Sequence, residues 1–463
     1  MNLKDDKRRN IQQGLDFTAS AAGEARGSGW EETESSAATH EIESPASGEL
    51  LMEEIGEWRN LKEAENQAWA NKGSAGIDGR GVDQRPDYRE LVRIREQLRS
   101  GTYRPQPVKR GEIPKPDGGV RKLGIPTVVD RIVQHAVMQV MQKQWERTFS
   151  DSSYGFRPGR SAHQAVAQSQ EYIAAGYGWV VDLDLEKFFD RVNHDKLRGR
   201  IAQGIRDQRV LKLIRAFLNA GVMDNGVVSP SVEGTPQGGP LSPLLSNIVL
   251  DELDRELERR GLRFVRYADD CNIYVRSQRA GQRVMESVKR FITQKLKLKV
   301  NEAKSAVAKP QERKFLGFSF TDGPIVRRCM APKAITRFKE RIREITRYAR
   351  SVSMDTIMAR LAPYMKGGSS YFGFCETPST LVKLTSWVRR RRRCAIWQQW
   401  KTSRRRRAAL IQLGVRPDLA RDAASSGRGP WRMSRSTAWH IGLSNNYFRD
   451  RGFPSLAGPG SRN

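Results

Sequence analysis

Two adjacent carboxylates, Asp269 and Asp270, stand between two short apolar stretches of the chain. The flanking stretches 263–267 and 271–275 are rich in aromatic and β-branched residues, which predicts two strands joined by a tight turn. Adjacent strand residues point to opposite faces, so one acid can aim at a metal site while its neighbour lies at the edge. A solvent-exposed Asp-Asp turn is the alternative, because aspartate is an ordinary turn residue.

A third acid, Asp184, lies in the aliphatic run 179–185, which predicts a buried strand. A carboxylate in such a strand is costly unless it is paired or bound to metal. Phosphoryl transfer to a growing chain uses two Mg²⁺ about 3.5–4 Å apart, and hard carboxylate oxygens suit that ion. Asp184, Asp269 and Asp270 are therefore predicted as catalytic metal ligands, with two Mg²⁺ as cofactor and Mn²⁺ as a substitute.

Two glycine-rich turns carry residues that suit a nucleotide. A hairpin is predicted over 112–126, with Lys115 and Arg121 flanking its Pro-Asp-Gly-Gly turn. A point charge together with a guanidinium fork can hold a triphosphate, although a solvated basic hairpin is the alternative. A second loop, 234–240, opens a long helix, and its amides with the Gln237 side chain can hydrogen-bond a nucleotide.

The charge balance indicates a polyanionic partner. The 463 residues include 81 Lys and Arg against 52 Asp and Glu, a net charge of +29. Nucleic acid is the common partner of such a chain. An anionic membrane is the alternative, but the sequence has no run of about 18 apolar residues and no signal-peptide core. Four dispersed cysteines without a Cys-x-x-Cys pair argue against a zinc ribbon or a disulfide framework and favour a reducing cytosol.

Composition divides the chain into four segments. Residues 1–48 are small and polar, which predicts a disordered leader. Residues 49–325 alternate helical and strand patterns and contain the three acids. Residues 326–425 are predicted to be helical, and 426–463 form a short extension.

Arginine runs beside tryptophans in the helical segment predict an RNA-binding surface, with a solvated basic face as the alternative. An arginine beside aromatic residues in the loop 153–161 suggests the same role. The predicted RNA-contacting residues are Arg157, Arg389, Arg390, Arg391, Arg392, Arg393, Trp397, Trp400 and Lys401.

The order of these motifs resembles that of group II intron-encoded reverse transcriptases, also called maturases. The matching blocks are IPKPDG at 113–118, YGFRP at 154–158, Asp184 with Phe189, PQG at 236–238, YADD at 267–270 and LGF at 316–318. The resemblance implies an α+β right-hand polymerase with fingers and an antiparallel palm sheet over 49–325. An all-helical basic thumb, called domain X, would follow over 326–425.

Further roles follow from the resemblance alone. Phe189 corresponds to a steric gate that excludes the 2′-hydroxyl of ribonucleotides, and Gln237 to a residue beside the templating pair. Lys115 and Arg121 correspond to contacts with the incoming triphosphate, and Lys304 to a palm lysine near the nucleotide.

The resemblance implies an RNA-directed DNA polymerase that uses an RNA template, a DNA primer and dNTPs. It also implies binding of intron RNA to assist splicing, and action on target DNA. Many relatives carry an HNH endonuclease with paired cysteines and histidines, but only His440 lies beyond residue 194 and no cysteine follows Cys394. We therefore expect the compact class without that domain, in the bacterial cytosol or nucleoid. A host-recruited enzyme of phage defence and a maturase without polymerase activity are the alternatives.

Overall fold

The computed structural model describes residues 50–81, 83–114, 119–224, 226–229, 234, 238–347 and 352–457. They form two compact units that meet in the sequence between Ala308 and Lys309. The predicted leader, together with Lys115 and Gln237, lies outside the described residues. Among the described helices, none is long and apolar enough to cross a bilayer.

The first unit combines helices with two four-stranded sheets, which confirms the α+β class. Its elements are α1 (Leu51–Ile55), α2 (Trp58–Ala70), α3 (Tyr88–Arg99), β1 (Val108–Pro114), β2 (Val120–Ile125), α4 (Val128–Glu146), α5 (Ala162–Ala174), β3 (Trp179–Leu183), α6 (Phe188–Arg191), α7 (His194–Gly204), α8 (Gln208–Asn219), β4 (Val222–Asp224), β5 (Val227–Ser229), α9 (Ser242–Arg259), β6 (Arg263–Tyr267), β7 (Asp270–Val275), α10 (Gln278–Phe291) and β8 (Ala306–Ala308).

The palm sheet has the strand order β6-β7-β3-β8, and every neighbouring pair in it is antiparallel. Val180, Val181 and Leu183 of β3 are buried, as the aliphatic run predicts. Helix α10 lies against this sheet at Gly281, where an added Cβ would stand 2.5 Å from Cγ1 of Val307. The missing side chain therefore lets the helix approach the strands closely.

The second sheet of this unit has the order β2-β1-β4-β5. Strands β1 and β2 form the predicted basic hairpin, with Ile113 opposite Arg121, whereas β1 runs parallel to β4. Helix α4 follows the hairpin, and Thr127 caps it by accepting a hydrogen bond from the Asp130 amide. The apolar stripe of α4 enters the core of the unit, so the hairpin is anchored through this helix.

Over its described residues, the second unit consists of helices and one hairpin. Its elements are β9 (Phe318–Phe320), β10 (Arg328–Met330), α11 (Pro332–Ile345), α12 (Met354–Phe372), α13 (Pro378–Gln399), α14 (Ser403–Gln412), α15 (Pro417–Ser425), α16 (Pro430–Met433), α17 (Thr437–Gly442) and α18 (Asn445–Asp450). Phe318 of β9 packs on Tyr371 and Phe372 of α12, with ring centroids 5.4 and 5.5 Å apart. Aromatic packing thus joins the β9–β10 hairpin to the helices of this unit.

The C-terminal residues also belong to this helical unit. Trp439 of α17 is fully buried, and its ring lies 5.2 Å from that of Trp397 and 5.3 Å from that of Trp400. Arg393 of α13 donates hydrogen bonds to the Leu443 carbonyl oxygen. The extension therefore completes the core around α13.

Replacing Trp439 by alanine should lower the free energy of unfolding of the helical unit by about 3–5 kcal/mol, because a large buried ring is lost. Urea denaturation followed by tryptophan fluorescence and circular dichroism measures this loss. Ile441→Ala, at an exposed position of the same helix, is the control and should cost less than about 0.5 kcal/mol. Equal losses for both variants would contradict the packing described for α17.

Candidate active site

The turn between β6 and β7 places Asp269 and Asp270 together, as predicted. Tyr267 pairs with Asp270, so Ala268 and Asp269 alone make the turn. Ala268 has φ 56°, in the left-handed region that a residue with a Cβ rarely adopts. Gly155 supports this turn from the YGFRP loop, where an added Cβ would lie 2.3 Å from the Ala268 nitrogen. The loop and the turn therefore fit together only because Gly155 has no side chain.

Strand β3 brings Asp184 to the same turn. Its final register pair with β7 is Leu183 with Cys271, so Asp184 is the next residue toward the turn. The Asp184 amide donates to Ser305 Oγ at 3.0 Å, and its carbonyl oxygen accepts from the Asn301 amide at 2.8 Å. These bonds fix the backbone at the point where β3 ends.

The Asp184 and Asp269 carboxyl groups interact electrostatically. Burial raises the pKa of Asp269, and the negative charge of Asp184 raises this pKa further. The positive charges of Arg121 and Arg266 oppose that shift. Lys304 Nζ lies 3.7 Å from Asp184 Oδ2, so cations surround the two acids.

This donor set suits a divalent cation. Carboxylate oxygens are the ligands that Mg²⁺ and Mn²⁺ prefer, and both Asp184 and Asp269 remain partly exposed. Asp270 is exposed, and within the described ranges no three Asp, Glu, His or Cys side chains converge as a ready cation site. The fold therefore brings two of the three predicted ligands together, and the part taken by Asp270 stays a prediction.

Phe189 lies on the short helix α6 that follows β3. Lys187, just before it, has φ 48°, and the chain turns there so that Phe188 is buried while Phe189 is partly exposed. An added Cβ at Gly234 would lie 2.7 Å from the Phe189 carbonyl oxygen, so the 234–240 loop begins beside the predicted gate. Contact between these residues and a nucleotide stays a prediction, as it does for Arg121 and Lys304.

Arg157 does not face solvent. It is buried and pairs with Glu146 at 2.8 Å. Its guanidinium also donates to the carbonyl oxygens of Ser150, at 2.5 Å, and Ser153, at 2.8 Å. The prediction of RNA contact is corrected for this residue, because its donors hold the YGFRP loop in place.

Two arginines of α13 are also internal. Arg392 and Arg393 are buried, and the Arg392 guanidinium lies 4.4 Å from the ring centroid of Phe448 and 4.3 Å from that of Phe453. Burial lowers the pKa of each guanidinium to about 10. The prediction of RNA contact is corrected for both residues, because these side chains join α13 to the C-terminal segment.

The other predicted RNA-contacting residues of the helical unit differ in exposure. Trp397 is buried, with Arg406 over its ring at 4.1 Å. The prediction of RNA contact is therefore corrected for this residue as well. Arg390 lies 3.6 Å over the Trp431 ring. RNA contact stays a prediction for the partly exposed Arg389, Arg390, Arg391 and Trp400 and for the exposed Lys401.

The sequence reasoning missed the polar residues beneath the acidic turn. Arg266 in β6 and Asp254 in α9 are both fully buried and form an ion pair. A signal was present, since Arg266 interrupts an aromatic and β-branched strand and Asp254 lies on the leucine stripe of its helix. A buried charge in either place requires a partner.

Comparisons with known proteins agree with this site. The family model for reverse transcriptase (RNA-dependent DNA polymerase) matches residues 113–320, which contain all three acids. The model for the group II intron, maturase-specific domain matches residues 335–411. The fold and the paired acids thus define a nucleic-acid polymerase of the reverse transcriptase class.

Curated relatives narrow the class to a family. Protein YkfC of Escherichia coli is 33% identical over 314 residues, which cover 59% of this chain and 81% of YkfC. The group II intron-encoded protein LtrA of Lactococcus lactis is 32% identical over 295 residues, which cover 50% of this chain and 49% of LtrA. The chain belongs to the family of group II intron-encoded reverse transcriptases and maturases, and it spans about half the length of LtrA.

Similarity to solved structures is lower. A chain of a partial Cas6-RT-Cas1–Cas2 complex is 25% identical with a TM-score of 0.34, covering 53% of this chain and 42% of that one. A telomerase from Candida albicans is 13% identical with a TM-score of 0.40, covering 72% of this chain and 63% of that one. Scores this low carry no information about function.

Removing the Asp184 charge should lower the pKa of Asp269 in the metal-free protein, because like-charge repulsion is relieved. Asp184→Asn tests this by a ¹³C NMR titration of the aspartate carboxyl groups. Arg121→Ala is the matched variant and should shift the same pKa upward, since it removes an attractive charge. If the Asp269 signal titrates identically in all three proteins, the acids are not in electrostatic contact.

Proposed function

We propose that this chain extends a DNA primer on an RNA template with dNTPs, and that it binds the group II intron RNA that encodes it. The observation that most supports this proposal is the approach of Asp184 to Asp269 within a reverse transcriptase domain. The reaction joins the primer 3′-oxygen to the α-phosphorus of the dNTP, and the bond from that phosphorus to the pyrophosphate oxygen breaks.

Asp184, Asp269 and Asp270 would hold the two Mg²⁺ ions. When bound, these ions lower the pKa of the primer 3′-hydroxyl and stabilise the charge on the departing pyrophosphate. Arg121 contributes a fixed positive charge close enough to affect Asp269, which suits the triphosphate. Lys304, 3.7 Å from Asp184, adds a second cation to the acid pair.

The sugar of the incoming nucleotide is selected by Phe189. Its partly exposed ring comes five residues after Asp184 in the chain, which supports a position near the acids that would hold the metal ions. A ring packed against C2′ collides with a ribose hydroxyl but leaves a deoxyribose undisturbed. Selection therefore depends on shape and needs no hydrogen bond to the sugar.

Intron RNA would bind through the exposed cations of the helical unit. Lys401 and the α14 residues Arg404, Arg405 and Arg407 are exposed, and all of them fall within the maturase-specific match. Phosphate contacts of this kind supply affinity with little sequence preference. The RNA would then perform the splicing chemistry while the protein stabilises its fold, and the same complex would act on target DNA.

Asp269→Asn should reduce primer extension to background while RNA binding persists, because phosphate contacts by Lys and Arg supply the affinity. Primer extension on an RNA template and filter binding of labelled intron RNA measure the two properties. Asp195→Asn, at an exposed position on α7, is the matched control and should retain activity. Extension by Asp269→Asn at the wild-type rate would contradict the proposed reaction.

Phe189→Ala should admit ribonucleotides. We expect the preference for dNTPs over rNTPs, as a ratio of kcat/KM values, to fall on the order of 10–100-fold, the scale of steric discrimination in a pocket. Phe291→Ala, which removes a partly buried ring from α10, should leave the ratio unchanged. A Phe189→Ala enzyme that still rejects rNTPs would show that another residue is the gate.

A further inference from the structure

We propose that Arg266 is a positioning residue that fixes the direction of Asp269 for the divalent cation, and that Asp254 and Asn247 hold Arg266 in the required orientation. This inference rests on the proposed function for its catalytic consequence. Its structural basis is independent of that function.

The Arg266 guanidinium is fully enclosed, with none of its side-chain surface exposed. A guanidinium has five N–H donors in a fixed planar fork, and here each one has an acceptor. The acceptors are Asp254 Oδ1 at 2.7 Å and Oδ2 at 2.5 Å, Asn247 Oδ1 at 3.0 Å, the Ala268 carbonyl oxygen at 2.9 Å and Ser153 Oγ at 2.7 Å.

One of these acceptors belongs to the acidic turn itself. The Ala268 carbonyl forms the peptide bond that leads into Asp269, so a hydrogen bond to it fixes the plane from which the Asp269 side chain departs. Ala268 also has φ 56°, a conformation that persists only when surrounding contacts impose it. The hydrogen bond from Arg266 to the Ala268 carbonyl oxygen is such a contact.

The same network fixes the loop that covers the turn. Asn247 of α9 accepts from Arg266 through its oxygen and donates through its nitrogen to the Gly155 carbonyl oxygen at 2.8 Å. The backbone of Arg266 also pairs with that loop, through the Ser152 carbonyl oxygen and the Tyr154 amide at 2.9 Å each. The turn is therefore held between α9 and the YGFRP loop, with Arg266 bonded to both.

Asp254 explains why the network has one orientation. Its two carboxylate oxygens accept from Nε and Nη2 of Arg266, a bidentate arrangement that sets the plane of the guanidinium. Nη1 is then directed toward Ala268 and Asn247, which both accept from it. A lysine at position 266 would keep the charge but could not reach these acceptors together.

Arg266→Lys in the full-length protein tests the proposal. Outer partners of metal ligands typically alter affinity about 10–100-fold, and we expect Mn²⁺ to bind the nucleotide-free variant more weakly by that factor. Loss of the electron paramagnetic resonance signal of free Mn²⁺ measures binding without any turnover. In primer extension, the Mg²⁺ concentration at half-maximal rate should rise in parallel.

Arg209→Lys is the matched control in the same unit. Arg209 also donates five hydrogen bonds, to Glu53, Asp207 and the Arg99 carbonyl oxygen, but none of these partners belongs to the acidic turn or to the YGFRP loop. This variant should lower the melting temperature and leave Mn²⁺ binding unchanged. If Arg266→Lys behaves in the same way, Arg266 is merely structural and the proposal is overturned.

Asn247→Ala is a second test of the proposal, to be used if Arg266→Lys does not fold. It removes a single acceptor from Arg266 and the bond to Gly155, and it should weaken Mn²⁺ binding in the same direction. Unchanged Mn²⁺ binding by a folded Asn247→Ala would also overturn the proposal. A wild-type protein that binds Mn²⁺ yet makes no cDNA would instead refute the proposed function and leave the positioning role intact.

Discussion

The register of β3 against β7 forces two carboxylates toward each other at the end of the palm sheet. Antiparallel pairing up to Leu183 and Cys271 leaves Asp184 beside the turn that carries Asp269. Such an approach is unfavourable in a partly buried place, because each charge disfavours the other. Burial of the strands fixes this register, since a shift of one residue would turn the aliphatic side chains of β3 out of the core.

Nearby cations offset the repulsion between the Asp184 and Asp269 carboxylates. Arg121 and Arg266 both act on Asp269, and Lys304 approaches Asp184. These cations have different settings, since Arg266 is enclosed by hydrogen bonds whereas Arg121 and Lys304 are exposed. The enclosed charge suits a permanent structural role, and the exposed charges remain accessible to a polyanionic substrate.

Positive charge has two distinct uses in this protein, and composition alone does not separate them. The net charge of +29 indicates a nucleic-acid partner. However, Arg157, Arg392 and Arg393 are buried and bind carbonyl oxygens, a carboxylate or aromatic rings. A run of arginines therefore does not by itself predict a nucleic-acid-binding surface, because tertiary packing decides which guanidinium groups are exposed.

The sequence predicted the parts of the site that depend on local pattern. The β6–β7 hairpin, the strand before Asp184 and the basic hairpin all follow from alternation and turn residues. The network around Arg266 did not follow, because Ser153, Asn247 and Asp254 are remote in the chain and meet only after folding. The β9–β10 hairpin was not predicted for a related reason, since the rings that pack on Phe318 come from α12.

The central claim is that Asp184 and Asp269 share one cation site, and metal-directed cleavage tests it most directly. Fe²⁺ in place of Mg²⁺, with ascorbate and hydrogen peroxide, cuts the backbone close to where it binds. The account predicts cuts both near Asp184 and near Asp269, with both sets suppressed together by excess Mg²⁺. Cuts near only one of these residues, or cuts that Mg²⁺ does not suppress, would contradict it.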